Sequence, residues 1–331
     1  MSKILITGGI GFIGSYTVQR LIKLGHEVAI FDNFVHYVYP LNQMHLENII
    51  RRTQPFIDDV KVYRGSIVDQ DFLRRSITDF SPDHIIHLAA MPISKLATEH
   101  PEEAVDVMAR GTLNLLEVIS TLDSFGRFVY ISSSMVYGDF IQNPMPEGGI
   151  KKPIDIYGSM KLAGEHLTRA IARKSGLDFT IVRPSAVYGP TDNNKRVLTI
   201  FLDNALSGKP LEVKGRSESL DFTYVTDIAD GIICALFSEN ANGNSYNITR
   251  GRSRTILEAA QIVANLIPGT TINVQESDAD MPSRGTLDIS RAQREIGYSP
   301  RIDLEQGLER LYQYRLEQSD HPQIEYLSAV G

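Results

Sequence analysis

Tyr157 and Lys161 stand four residues apart, at a spacing that puts both on one face of a helix. A phenol whose pKa is about 10 is a poor base at neutral pH. A neighbouring ammonium favours the phenolate and lowers that value. Ser133 follows the apolar run Phe128-Val129-Tyr130-Ile131 and can donate to the same substrate oxygen. Together the three make a proton relay to a hydroxyl whose carbon gives up hydride. Lys161 has a second possible task, holding the ribose of the hydride acceptor.

The acceptor's site is written at the other end of the chain. Ile4, Leu5 and Ile6 form a short apolar run, followed at once by Gly8, Gly11 and Gly14. Such a turn admits positive φ and lets a pyrophosphate approach the backbone. The helix expected next, with Phe12 and Ile13 in its first turn, points its N–H groups at that phosphate. A second strand, Val28 to Phe31, ends at Asp32, followed by Asn33. A carboxylate there accepts from both adenosine ribose hydroxyls and repels a 2′-phosphate. No Arg or Lys occupies 33–36, so the expected cofactor is NAD rather than NADP.

Composition bounds the rest. A chain of 331 residues with a net charge of −7 gives no support to a nucleic-acid or membrane surface. The single cysteine, Cys234, excludes an internal disulfide, and its apolar neighbours predict a buried thiol. No apolar run approaches the ~20 residues needed to span a bilayer. The first strand starts immediately, which leaves no room for a signal peptide and predicts a cytoplasmic protein. The Cys and His residues show no metal-ligand spacing. His87, at a strand end, reads as a packed histidine.

Strands and helices alternate through the first 185 residues. The expected elements are a surface helix at 42–53, a strand at 60–64, a helix at 70–79 and a strand at 83–90. A long helix at 102–120, a strand at 128–131, a helix at 157–174 and a strand at 179–182 follow. This order predicts an α/β fold, a Rossmann-type doubly wound parallel sheet. Small residues at strand ends, as in Leu88-Ala89-Ala90, let a cofactor lie against backbone. Beyond Gly189 the segments shorten and mix, with helices at 196–207, 227–238 and 255–266 and strands at 211–213, 245–248 and 271–274. The expected division is a cofactor domain at 1–185, a smaller mixed α/β substrate part at 186–317 and a loose tail at 318–331.

The chain resembles the extended short-chain dehydrogenase/reductase family, in its NAD-dependent nucleotide-sugar epimerase/dehydratase branch, over about residues 3–312. The resemblance rests on Thr7-Gly8-Gly9-Ile10-Gly11-Phe12-Ile13-Gly14, His87-Leu88-Ala89-Ala90, Ser132-Ser133-Ser134-Met135-Val136-Tyr137-Gly138, Tyr157-Gly158-Ser159-Met160-Lys161 and Arg183-Pro184-Ser185-Ala186-Val187-Tyr188-Gly189-Pro190. It continues through Phe222-Thr223-Tyr224-Val225-Thr226-Asp227 and Leu287-Asp288-Ile289-Ser290-Arg291-Ala292. It implies that Ser133, Tyr157 and Lys161 are catalytic. It also implies that Ser66, Ile67, Leu88, Ala89, Ala90 and Pro184 join the glycines, Asp32 and Asn33 around NAD. A homodimer through helices near 100–120 and 157–174 is a further implication.

Departures from the family pattern narrow the chemistry. Sugar 4,6-dehydratases of the family carry an Asp-Glu pair after the catalytic Ser/Thr; here it is Ser134-Met135. Neither residue supplies the acid or base that dehydration needs. The Glu of decarboxylating members is missing too. What remains is redox at C4: oxidation, rotation of the ketone and reduction, or oxidation or reduction alone. The family's diphosphate-binding Asn is Ala186, an Arg before the Asp-Phe/Tyr strand is Leu220, another near 278 is Asp278, and a helix Asn is Met108. The adenine-binding Asp is Ser66. Lys195, Arg196, Arg216 and Arg284 are candidate replacements for the lost phosphate contacts. Met91 and Met135 flank the motifs that would surround the nicotinamide, as an adaptable apolar wall or as core filler, and Met91 and Ser134 are candidates on the substrate side. The expected partner is therefore a nucleotide-activated sugar. Three readings stand open: a nucleotide-sugar 4-epimerase, a C4 dehydrogenase or ketoreductase, and a nucleotide sensor without turnover, against which an intact relay argues.

Overall fold

A computed structural model describes residues 1–37, 41–122, 124–277 and 282–319. Strand β1 (Lys3–Thr7) runs through the middle of the molecule, and Ile4, Leu5 and Ile6 are fully buried. Each such side chain contributes about 1.5–3 kcal/mol by leaving water. Around it lie α1 (Phe12–Lys23), β2 (Glu27–Asp32), α2 (Gln43–Thr53), β3 (Lys61–Arg64), α3 (Gln70–Phe80) and β4 (His84–His87). Next come α4 (Ser94–Glu99), α5 (Pro101–Ala104), a π-helical turn (Val105–Arg110), α6 (Gly111–Ile119), β5 (Arg127–Ile131), α7 (Ile156–Ser175) and β6 (Phe179–Pro184).

The main sheet has seven strands in the order β11-β6-β5-β4-β1-β2-β3, all parallel. Chain order reverses between β1 and β4. A crevice opens there at the carboxyl ends of the strands, the usual ligand position in such sheets. Helices α1 and α9 (Val225–Phe237) cover one face, and α3, α6 and α7 the other, each with its own apolar core.

The remaining elements are β7 (Val187–Tyr188), α8 (Val197–Leu206), β8 (Leu211–Lys214), β9 (Ser219–Leu220), β10 (Thr223–Tyr224), β11 (Asn244–Ile248), β12 (Arg254–Thr255), α10 (Ile256–Leu266), β13 (Ile272–Gln275), α11 (Ser290–Ile296) and α12 (Leu304–Ser319). Most build a third core from α8, α10, α12 and the short strand pairs.

Four expectations change. Strand β11 does not belong to the closing part; it pairs with β6 and completes the main sheet, so the sheet extends past residue 185. The helix expected at 102–120 is interrupted by the π-helical turn. Helix α2 is less of a surface helix than its polarity implies, because His45, Asn48 and Arg52 are buried. The expected tail at 318–331 begins inside α12, and its part from 320 on lies outside the described residues, as does Asp278. Cys234 is half-buried. Among the described residues no helix is long and apolar enough to cross a membrane, and no cluster of His, Cys, Asp or Glu could hold a metal.

Candidate active site

The glycine turn after β1 is shaped by close approach. Gly8 takes φ 74, and a Cβ there would lie 2.8 Å from the Ala89 nitrogen. A Cβ on Gly14 would lie 2.2 Å from the Gly8 carbonyl oxygen. Gly8, Gly11, Phe12, Ile13 and Gly14 line one side of the crevice, and Leu88, Ala89, Ala90 and Met91 another. Asp32 stands at the end of β2, where its carboxylate accepts from the backbone N–H of Ile10 (3.1 Å) and of Phe34 (2.8 Å). Burial raises its pKa above the usual carboxylate value. A glycine cradle with no room for a Cβ, an apolar floor and a terminal carboxylate fit the pyrophosphate and adenosine ribose of NAD.

Asn33, Ile67, Tyr157, Lys161 and Pro184 line the same crevice. Ser66 is not on its wall; its hydroxyl accepts from the Val68 N–H at 3.3 Å. Among the groups that the sequence leaves unmarked, Tyr37, Arg52 and Asn193 line it. Arg52 comes from α2 and donates to the Thr191 carbonyl at 3.2 Å. Asn48 and Asn193 join side chains at 2.8 Å, so α2 holds the loop after β7 against the crevice. Nothing in the local sequence signals this, since the partners lie about 140 residues apart.

Ser133 follows the end of β5 near enough to Tyr157 for its hydroxyl to favour the phenolate; that hydroxyl accepts from the Met135 N–H at 3.2 Å, and Ser133 itself is not on the crevice wall. Asp155 caps α7 by accepting from the Gly158 N–H at 2.7 Å, which fixes where the helix starts and so where Tyr157 stands. Lys161 is one turn on and buried. Its ammonium donates to the Ile131 carbonyl at 2.7 Å and lies 5.9 Å from the Tyr157 ring centre. Burial without a carboxylate partner lowers its pKa to about 7. The Tyr157 pKa is raised, not lowered as expected: burial dominates, with the Arg196 charge and the Ser133 hydrogen bond opposing it. Lys161 alone does not activate the phenol in this state.

His87 is a packed residue. It is buried between Thr7 (2.6 Å to Nδ1) and Thr112 (3.0 Å to Nε2). The Thr112 hydroxyl donates to the Met108 carbonyl at 2.6 Å, so it accepts from Nε2–H, and Thr7 donates to Nδ1. Burial lowers the ring's pKa to about 3, so it stays neutral.

The residues expected around a sugar are dispersed. Met91 and Arg196 line the crevice with Tyr157; Ser134, Ala186 and Arg284 are not on its wall. Ser134 donates to the Ser185 hydroxyl at 3.0 Å. Ala186 holds φ 38, a left-handed conformation that Asn adopts more readily than Ala. Arg284 reaches the Met135 sulfur at 3.7 Å, and burial lowers its pKa to about 10. Met108 is buried beside Met91, and Leu220 packs on the third core, so neither offers a polar contact. Lys195 and Arg216 are exposed.

A family model described as the NAD dependent epimerase/dehydratase family matches residues 4–249. UDP-glucuronate 4-epimerase 4 of Arabidopsis thaliana is 29% identical over 332 residues, covering 95% of this chain and 75% of its own. The crystal structure of UDP-glucuronic acid 4-epimerase from Bacillus cereus, in complex with UDP-glucuronic acid and NAD, superposes with a TM-score of 0.86 at 29% identity, over 96% of this chain and 99% of that one. UDP-glucose 4-epimerase from Thermotoga maritima, crystallised with UDP-glucose, gives 0.84 at 26% identity, over 96% of this chain and 100% of that one. With the glycine cradle, the terminal Asp32, Tyr157 and Lys161 in one crevice, this match to most of its length places the chain in the NAD-dependent epimerase/dehydratase family.

Proposed function

We propose that the chain is a nucleotide-sugar 4-epimerase acting through a transient 4-keto sugar. The observation that carries this reading is Tyr157 on the crevice wall beside the glycine cradle, with Lys161 one turn on and Ser133 nearby but no acid–base pair at 134–135. Ser134 is spent on Ser185, and Met135 has only a thioether. NAD held by the glycine turn and Asp32 would supply the hydride acceptor and donor for the sugar C4. Tyr157 accepts the O4 proton as that hydride leaves, and gives it back when the ketone is reduced on its other face. Ser133 donates to O4 and holds it within reach of the phenol. Lys161 contributes positive charge beneath the relay and a donor toward the nicotinamide ribose. Met91 supplies an apolar wall that tolerates both faces of a rotating ketone. Ser134, Ala186, Arg196 and Arg284 are read as the substrate side, with the two arginines answering the diphosphate or a charged sugar substituent. A homodimer is the expected assembly, and light scattering measures it.

The test is a substrate panel that includes UDP-glucose and UDP-glucuronate, followed by NMR. The expected product is the 4-epimer, with no external NAD consumed. A ketone or alcohol formed with stoichiometric NADH or NAD would instead make the protein a net C4 oxidoreductase.

A further inference from the structure

A second cleft lies farther along the catalytic helix α7 than the crevice. It is bounded by α7, the edge of β6 and β11, the loop at 147–151 and α11. Four cations line it, Lys151, Arg169, Arg183 and Arg291, against two carboxylates, Glu147 and Glu165. The chain's net charge is −7, so this concentration of positive charge runs against the overall balance.

The carboxylates are occupied. Both oxygens of Glu165 are held by Arg183, at 2.7 and 2.6 Å, and one also accepts from Ser132 at 2.6 Å. Glu147 accepts from the Asn247 N–H at 3.1 Å. Two cations are left with neutral partners only. Lys151 donates to the carbonyls of Glu147 (3.1 Å) and Gly149 (2.9 Å). Arg169 donates to the Gly243 carbonyl (3.4 Å) and the Ser245 hydroxyl (2.6 Å). Neither forms an ion pair. Burial and then Arg183 push the Lys151 pKa down while Glu165 pulls it up, and at Arg169 the pull of Glu165 ranks ahead of the push of Arg183 and Arg291. Two cations held close by backbone and hydroxyl groups, with the nearest carboxylate already bound to Arg183, present donors and charge to an anion.

We propose that this cleft is a second ligand site, taking the phosphoryl group of inorganic phosphate or of a small phosphorylated metabolite. Guanidinium forks match a phosphoryl oxyanion bidentately, and Lys151 adds a point charge. The site is wired to the crevice. Ser132 lines the crevice and donates to Glu165; Glu165 holds Arg183; Arg183 faces the cleft. Glu165 is also one helical turn after Lys161. Occupancy of the cleft therefore bears on the strand end that carries Ser133.

The experiment is calorimetric titration of the NAD-loaded protein with inorganic phosphate, and separately with glucose 1-phosphate, at constant ionic strength. One saturable site per chain is expected. The double variant Lys151→Ala/Arg169→Ala should bind about tenfold more weakly or not at all, while its NAD content and thermal midpoint stay those of the parent. Arg169→Lys should recover part of the affinity, and Arg284→Ala, on the substrate side, should leave it unchanged. Tighter binding of glucose 1-phosphate than of phosphate would identify a metabolite site, and equal binding a phosphate site. No saturable binding by the parent protein, or equal affinity in the double variant, would overturn the proposal. Neither result depends on whether the protein epimerises sugars.

Discussion

The crevice that fits NAD and the side that faces the sugar share Tyr157, yet they are built by different means. On the cofactor side the contacts are largely backbone: a glycine turn with no room for a Cβ, small residues after β4, and one carboxylate at the end of β2. Backbone sites demand particular residue types at fixed spacing, so they leave a strong pattern. On the sugar side the contacts are side chains carried on loops from both halves of the chain. There the family's Asn and Arg are replaced by Ala186 and Leu220, and Leu220 has become part of an apolar core. The difference teaches that contacts built from backbone hold a residue pattern, whereas the side chains proposed for the sugar side depart from it at Ala186 and Leu220.

Removing the relay should have the largest effect. Tyr157→Phe keeps the ring and deletes the proton acceptor, so single-turnover hydride transfer should slow by roughly 10²–10⁴. NAD content should hold. An unchanged rate would detach the tyrosine from the chemistry and leave the two sides with no common residue.

Acid should damage the cofactor side first. His87 is neutral in the fold with its pKa lowered to about 3, whereas in the unfolded chain it titrates at about 6.5. The unfolded state therefore binds the proton first, and stability falls as pH drops from about 6.5 toward 3, by up to about 5 kcal/mol. Denaturant melts of the parent and of His87→Gln across that window measure it. The variant should lose part of the pH slope, and parallel slopes would show that other groups govern the acid response.

Arg284→Ala probes the sugar side. If its guanidinium answers a charge on the substrate, KM should rise by roughly ten- to a hundredfold, the loss of one charge-assisted hydrogen bond, with little change in kcat or NAD content. A fall in NAD content instead would move Arg284 to the cofactor side and erase the contrast. The smallest effect is expected at Asp32. The native chain should bind NAD more tightly than NADP, and Asp32→Ala should narrow that gap by about tenfold through lost repulsion of the 2′-phosphate. Equal affinity for both cofactors before substitution would contradict the reading of β2.

The parallel sheet was legible because apolar runs such as Ile4-Leu5-Ile6 and Phe128-Val129-Tyr130-Ile131 have few other uses. The glycine motif and the Tyr157–Lys161 spacing were legible because backbone approach and a shared helix face impose fixed separations. Other features depend on distant partners. The burial of Asn48 and Arg52 on a polar helix is set by the loop at 190–194 and by Tyr314. The π-helical turn at Val105–Arg110 inserts one residue per turn without a breaking Gly or Pro, so periodicity alone reads one continuous helix. Strand β11 reads as one of the mixed segments beyond Gly189 because its place beside β6 depends on the path of α9, which local pattern does not encode. The raised pKa of Tyr157 is hidden for a similar reason: spacing shows that Lys161 is near, but not that the fold buries the phenol deeply enough for desolvation to dominate.

The most direct measurement follows the C4 hydrogen itself. The protein, carrying NAD and no external cofactor, is incubated with a nucleotide sugar deuterated at C4, and the product is read by NMR and mass spectrometry. Epimerisation through a retained 4-keto sugar predicts that the 4-epimer keeps its deuterium at C4, with no label exchanged with solvent, no deuterium taken up at C5 from heavy water and no loss of water. A 4-epimer that has lost its label, or a product one water lighter with solvent deuterium at C5, would contradict the account.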